Sequence, residues 1–446
     1  MNHPKAAKEF LKNEDHAKWH DEALWFVRQK RDIAAKSIKE WEELREAAQK
    51  IKSHTLSYLS YYLNEFEKNA LSNGIKVHWA TDAKEHNKIV YNILKKHQIK
   101  KVVKSKSMLT EECALNPYLK KRGIEVIDTD LGERIVQLRD EPPSHIVLPA
   151  IHLKKEQIGK TFEEKLHTQK GNFDPAYLTN EARKDLREKF LSAKGAITGV
   201  NFAIAEVGGI VVCTNEGNAD LGTSVAKVHI ASMGIEKIIP KTEHLGIFTR
   251  LLARSATGQA ITTYTTHFNA PEEGKEMHIV IVDNQRSDII NDKEHKKVLA
   301  CIRCAACINT CPIYRRSGGY SYSYTIAGPV GSLLANTRDL KKYGDLAFAS
   351  TLCGSCTNIC PVKIDIHHQL LAFRKEYVKK GYVSFKKRLA FKIGASVLRN
   401  AFLYEIARKT LSLFHPFLKR LNLWGEGREI PKPAKKSFKE IYGKRK

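Results

Sequence analysis

No stretch of the 446 residues reaches the roughly 18 uninterrupted apolar positions that a membrane-crossing helix needs. The most apolar region, residues 195–215, is broken by Asn201 and Glu206. The first twenty residues hold no apolar core of secretion-signal length, so the chain is expected to stay in the cytoplasm. No G-x-G-x-x-G follows an apolar strand, which removes the glycine-rich cradle of nicotinamide and flavin dinucleotides. Acid is short relative to base: 49 Asp and Glu against 75 Lys and Arg leave a formal charge of +26. That field suits an anionic partner, an anionic membrane surface or nucleic acid, and charge alone does not choose among them. Cysteine is scarce, with nine in all, yet seven fall between positions 301 and 360. A disulfide framework spreads its thiols through a small secreted chain, whereas clustered thiols in a reducing compartment hold metal.

Four regions follow from the patterning. Residues 1–72 carry apolar positions at helical spacing with no Gly or Pro after Pro4, and read as an amphipathic helical arm packed on its own protein. Residues 73–285 alternate short β-branched runs with helical stretches. "IKVHWAT", "IKKVVKSKS", "IEVIDTD", "SHIVLPA", "KVHIASMG", "AITTYTTHF" and "EMHIVIVDN" are the expected strands. Such alternation predicts an α/β domain with a mostly parallel sheet. In "AITGVNFAIAEVGGIVVCTN", Gly208-Gly209 predicts a tight turn between neighbouring strands. Residues 290–375 hold the cysteine motif twice, joined by a helical linker, and residues 376–446 form a basic segment that opens with helix.

The first motif, C-x2-C-x2-C-x3-C-P, comprises Cys301, Cys304, Cys307, Cys311 and Pro312. This is the spacing of bacterial-type [4Fe–4S] ferredoxins, in which three thiolates wrap one cubane and the fourth serves the other. A zinc ribbon uses two separate C-x2-C pairs around one ion, which four cysteines in one short run do not fit. The second motif, Cys353, Cys356, Cys360 and Pro361, matches the last three cysteines of that pattern. Cross-ligation then assigns Cys301, Cys304, Cys307 and Cys360 to one cluster, and Cys311, Cys353 and Cys356 to the other. Ser350 stands where an eighth cysteine would be, and we read it as ligating nothing. A hydroxyl ligand, another group or a [3Fe–4S] cluster are the alternatives. The helical linker resembles the α-helical ferredoxin module of succinate dehydrogenase-type and heterodisulfide reductase-type proteins.

Outside the motifs, "TNEGNAD" follows an apolar strand. Its Asn215, Glu216, Gly217 and Asn218 are candidates for a ligand loop, since ligands in open α/β sheets sit beyond strand carboxyl ends. A tight structural turn explains them equally well. Glu216 is the best single candidate for acid–base work. Glu206–Gly209 reads as a hairpin turn, His229 as a core histidine, His367-His368 as a solvated helix start, and Cys113 and Cys213 as packed side chains.

The blocks "EVGGIVVCTNEGNADL", "CIRCAACINTCPIYRRSGGYSYSYTIAGPVGSLL", "LCGSCTNICPVKI" and "GREIPKPAKKSFKEIY" together resemble the lactate utilisation protein B family, over nearly all of residues 15–446. The resemblance implies a LUD domain of NagB/RpiA/CoA-transferase-like fold beside an α-helical ferredoxin module with two iron–sulfur clusters. It implies an electron-carrying subunit of a complex oxidising L-lactate to pyruvate. The implied partners are a second cysteine-rich redox subunit and a small LUD-domain subunit. The basic 385–421 segment either docks on another subunit or lies on the inner face of an anionic membrane near a quinone-linked partner. The rivals are an iron–sulfur subunit of another 2-hydroxy-acid oxidase or heterodisulfide-reductase-like complex, and a nucleic-acid-binding iron–sulfur protein. The last lacks a recognisable binding fold.

Overall fold

The computed structural model describes residues 3–420, 432, 434 and 436–443. It divides into two units, Met1–Lys375 and Glu376–Lys446. The first opens with four helices, α1 (His3–Leu11), α2 (Glu14–Lys36), α3 (Trp41–Ser57) and α4 (Leu59–Ser72). Asn13 caps α2 by accepting from the His16 amide, and Glu14 and Asp15 in the first turn oppose Lys36 in the last, so both ends suit the helix dipole. The buried face of α2 includes Leu24, Arg31, Ala34 and Ala35, while Trp25 stands exposed beside Arg28 and Arg315.

Ten strands follow: β1 (Lys76–Ala80), β2 (Lys101–Lys104), β3 (Glu125–Asp128), β4 (Gly195–Gly199), β5 (Phe202–Ile204), β6 (Gly209–Thr214), β7 (Val228–Gly234), β8 (Ile238–Ile239), β9 (Tyr264–Phe268) and β10 (Glu276–Val282). Six of them form a parallel sheet in the order β1-β10-β7-β4-β2-β3. Every residue of β7 is buried, the unbroken apolar pattern of a strand covered on both faces. His229 fits within it because its Nε2 meets the Thr198 hydroxyl at 2.8 Å. A second sheet, β8-β5-β6-β9, is mixed and was not foreseen as separate from the first. "AITTYTTHF" supplies its edge strand β9, antiparallel to β6. Between β5 and β6 the chain turns at Gly208, whose φ is +65°. A Cβ there would fall 2.2 Å from the Ala70 amide nitrogen of α4, so glycine is required by both conformation and contact.

One expected strand is absent. "SHIVLPA" is irregular. Pro142, Pro143 and Pro149 remove ladder donors, and the remaining amides find local partners. Ser144 donates to the Pro149 carbonyl at 3.0 Å, and Val147 and Leu148 donate to His145 Nδ1 at 3.1 and 2.9 Å. The loop is thereby freed to brace the cysteine region: His145 Nε2 lies 2.9 Å from Asn309 Oδ1, and the Ser144 carbonyl accepts from the Tyr314 hydroxyl at 2.8 Å.

Within the second unit, helices Phe385–Arg399 and Ala401–Arg420 are amphipathic, with Phe391, Leu398, Phe402 and Leu413 exposed. Among the described residues no helix is long and apolar enough to cross a membrane.

Candidate iron–sulfur centre

Both cysteine motifs adopt one local design. In the first, left-handed residues flank the second cysteine: Arg303 at φ +61° and Ala305 at φ +64° around Cys304. In the second, Leu352 at φ +56° and Gly354 at φ +78° flank Cys353. Such turns fold the backbone so that successive N–H groups point inward, a cradle for negative charge. The Arg303 amide donates to Cys301 Sγ at 3.4 Å, and the Leu352 amide donates to Ser350 Oγ at 3.1 Å, the same bond at the same offset. Each loop then enters a short helix, Ala306–Thr310 or Ser355–Ile359, that carries the third cysteine. Each helix ends on the last cysteine, Cys311 or Cys360, in extended conformation before a proline. Thr310 Oγ1 and Ser355 Oγ, 2.6 Å apart, pin the two helices together.

The thiols lie close enough to act on one another. Burial pushes Cys304 up first, followed by the charges of Cys360 and Cys301. Burial likewise raises Cys307, with Cys301, Cys304, Cys360 and Cys356 adding to it. Cys356 is pushed up to about 12 by burial and then by Cys311 and Cys353, and Cys311 also feels Cys353. A bare thiolate is therefore disfavoured here, and only a strongly electrophilic partner such as iron makes these sulfurs anionic near neutral pH. All seven are free, with Cys304, Cys307, Cys311, Cys356 and Cys360 buried and Cys353 exposed. Sulfur donors in backbone cradles, with amides aimed at them, fit iron–sulfur clusters.

The first helices hold the second loop by buried cations that sequence reading missed. Arg45 on α3 donates from Nε and Nη2 to the Cys360 carbonyl at 3.1 and 2.9 Å, and from Nη2 to the Asn358 carbonyl at 2.7 Å. Arg31 on α2 donates to the Ile359 carbonyl at 3.2 Å. Lys52, buried on α3, reaches the Glu236 carbonyl at 2.5 Å, and burial lowers its pKa to about 8 against the opposing pull of Glu236. The signal was present: Arg45 and Lys52 lie seven residues apart on the face that also buries Ala48. Tyr322 was also missed. It is 1% exposed, and its hydroxyl sits beside the Cys311 sulfur with no other partner.

The other candidates are dispersed. Ser350 Oγ is occupied by the Leu352 amide, and its carbonyl accepts from Arg374 at 2.6 Å. His367 Nδ1 lies 2.7 Å from Thr357 Oγ1, one residue beyond Cys356, while His368 pairs with Asp365 at 2.8 Å. Cys113 caps the helix Met108–Glu112 and Cys213 lies in β6; burial pushes their thiols to about 12 and about 11. Asn215, Glu216 and Asn218 line a cavity of about 460 Å³. It runs across the carboxyl ends of β7, β4 and β2. The amide of Asn215 donates to Gln259 Oε1 at 3.0 Å and that of Asn218 to Thr129 Oγ1 at 3.2 Å. Gly217, at φ +64°, caps the helix Asn218–Val225. Glu216 accepts from the Leu131 amide at 2.9 Å, and burial followed by Asp130 raises its carboxyl to about 7.

Comparison with known proteins defines the class. Residues 63–289 match the model for the LUD domain, and residues 297–364 match that for the 4Fe-4S dicluster domain. The chain is thus an iron–sulfur protein with two [4Fe–4S] clusters appended to an α/β LUD domain. Lactate utilization protein B of Bacillus cereus (strain AH820) is 42% identical over 426 residues, covering 92% of this chain and 90% of that protein. The protein of the same name from Bacillus cytotoxicus is 43% identical over 429 residues with the same coverage. The chain belongs to the lactate utilization protein B family. A crystal structure of a DUF162 family protein from Deinococcus radiodurans, 12% identical over 50% of this chain and 98% of its own, superposes at a TM-score of 0.28, too slight a likeness to carry an argument.

Proposed function

We propose that this chain is the electron-carrying iron–sulfur subunit of a complex that oxidises L-lactate to pyruvate. The observation that carries the reading is the pairing of two like-folded cysteine loops, pinned together by Thr310 and Ser355, with their sulfurs close enough to act on one another. On this reading Cys301, Cys304, Cys307 and Cys360 hold one cluster, and Cys311, Cys353 and Cys356 hold the other. Bound there, the clusters supply one-electron acceptors whose potentials follow burial, charge and hydrogen bonding. The chain's own part is to fix and insulate them. Arg31 and Arg45 lock the loop that donates Cys360, and the buried helices keep water from the first site. The exposed Cys353 marks the edge where charge leaves for a partner.

The partners in this reading are a second cysteine-rich redox subunit and a small LUD-domain subunit. The exposed basic helices of 385–420 support docking on one of them, or on an anionic membrane surface. The test is twofold. Anaerobically purified protein should hold about eight irons and eight sulfides and give signals of two clusters on reduction. A deletion strain lacking other lactate dehydrogenases should fail to grow on L-lactate. Colourless protein, or normal growth, overturns the reading.

A further inference from the structure

The cavity across the strand ends touches the first cysteine loop, because Arg303 lines it. Its end beside β7 is cationic. Arg286 is committed there: Nε donates to Glu236 at 2.7 Å and Nη2 to Glu112 at 2.9 Å. Arg338 also donates to Glu112 at 2.9 Å. Gly234 closes on this pairing, since a Cβ there would fall 2.1 Å from the Glu236 carboxylate and 2.7 Å from Arg286 Nε. The two carboxylates are therefore held chiefly by Arg286 and Arg338.

Two further cations stand at this end. Lys237 lines the cavity and makes no hydrogen bond or ion pair among the described residues. Arg303 stands 3.6 and 3.7 Å from Glu112 and Glu236, beyond hydrogen-bond length, and its Nη1 is buried with no partner. Four cations, Arg286, Arg338, Arg303 and Lys237, thus meet two carboxylates, and an excess of positive charge beside a cavity suits an anion. The cavity falls in the size range of small-molecule sites, and Leu109, Ile146 and Leu148 give it an apolar wall. Glu216 also lines the cavity but is engaged by the Leu131 amide and takes no part in this grip.

We infer that Lys237 and Arg303 form a binding site for the carboxylate of a small 2-hydroxy or 2-oxo monocarboxylic acid, held between the LUD sheet and the Cys301 loop. The choice of a 2-hydroxy or 2-oxo acid rests on the proposed lactate role; the anion grip rests on the geometry alone. The organic substrate is thus received by this chain itself, on the side of the first cluster. The second loop, with exposed Cys353, lies toward solvent.

The test uses anaerobically purified holoprotein of measured iron content. Equilibrium dialysis with radiolabelled pyruvate and L-lactate should show saturable binding of one molecule per chain. Added pyruvate should also perturb the electron paramagnetic resonance signal of the first cluster more than that of the second. Lys237→Met should weaken binding by about thirtyfold or more while iron content stays unchanged. Lys237→Arg should retain binding, and Lys341→Met, an exposed lysine outside the cavity, should have no effect. Unchanged binding in Lys237→Met overturns the proposal. So does equal competition by inorganic phosphate, or no binding to the wild type, in which case the two cations serve only to balance the cysteine thiolates. In that event two intact, reducible clusters would leave the electron-carrier reading standing, whereas protein without clusters would remove it whatever the dialysis gives.

Discussion

The two cysteine loops share a backbone and differ in their surroundings. Each has left-handed residues on either side of one cysteine, Cys304 or Cys353, the same amide-to-side-chain bond at its start, and the same exit into a proline. The field of Lys52, Lys237 and Arg303 reaches Cys301 at the first site, and Arg31 and Arg45 act on Cys304 and Cys360. At the second, Cys311 is met by a tyrosine hydroxyl, Cys353 is open to solvent, and a serine stands in the opening position. A shared loop therefore sets only which sulfurs can converge. The cation shell is expected to make the first site the easier to reduce, because positive charge favours the added electron.

The strongest way to break the comparison is to remove a crossing ligand. Cys360→Ala lies in the second motif, yet it should abolish the first cluster and leave the second. Iron should fall by about half, and the signal that survives reduction should be that of the second site. Loss of the second signal instead would mean that each motif holds its own cluster. Arg45→Met comes next. It strips hydrogen bonds from the Cys360 and Asn358 carbonyls, in a buried setting, and should cost about 3 kcal/mol of stability by anaerobic denaturation. Its cluster loss on exposure to air should fall on the first site. A smaller effect sharpens the contrast in potential. Tyr322→Phe removes the hydroxyl beside Cys311, and a hydrogen bond to a charged sulfur worth about 1.5 kcal/mol corresponds to roughly 60 mV. Redox titration should show the second cluster lowered by that amount and the first unmoved.

What the sequence disclosed follows the range of the physics. The cysteine spacing is local, so Cys301 to Cys311 and Cys353 to Cys360 announce their chemistry without a fold. The alternation of strands and helices gave the parallel sheet because β7 and β10 must be apolar on both faces. The second sheet was not legible. β5 and β6 are as apolar and as short as members of the first sheet, β9 is short and more polar, and only pairing decides which sheet each joins. "SHIVLPA" misled because its β-branched centre outweighed its flanking prolines in the reading but not in the fold. The shell of Arg31, Arg45 and Lys52 was hidden for another reason. In one dimension these are three among 75 basic residues, and only tertiary burial separates them from a solvated surface.

Ser350 carries the smallest effect and the sharpest question. Its hydroxyl accepts from the Leu352 amide as Cys301 accepts from Arg303, so backbone geometry alone makes it the equivalent of a ligand. Chemistry argues the other way: a neutral hydroxyl already engaged by an amide is a poorer iron donor than a thiolate. Ser350→Ala should therefore leave iron content and both signals intact and cost no more than about 1 kcal/mol, the worth of one hydrogen bond at a partly exposed turn. Ser350→Cys should place a thiolate in a cradle already built for one and lower the potential of the second cluster by adding negative charge. Loss of an iron from the second site in Ser350→Ala would instead make the hydroxyl its fourth ligand, and the two loops would then match in function as they do in backbone.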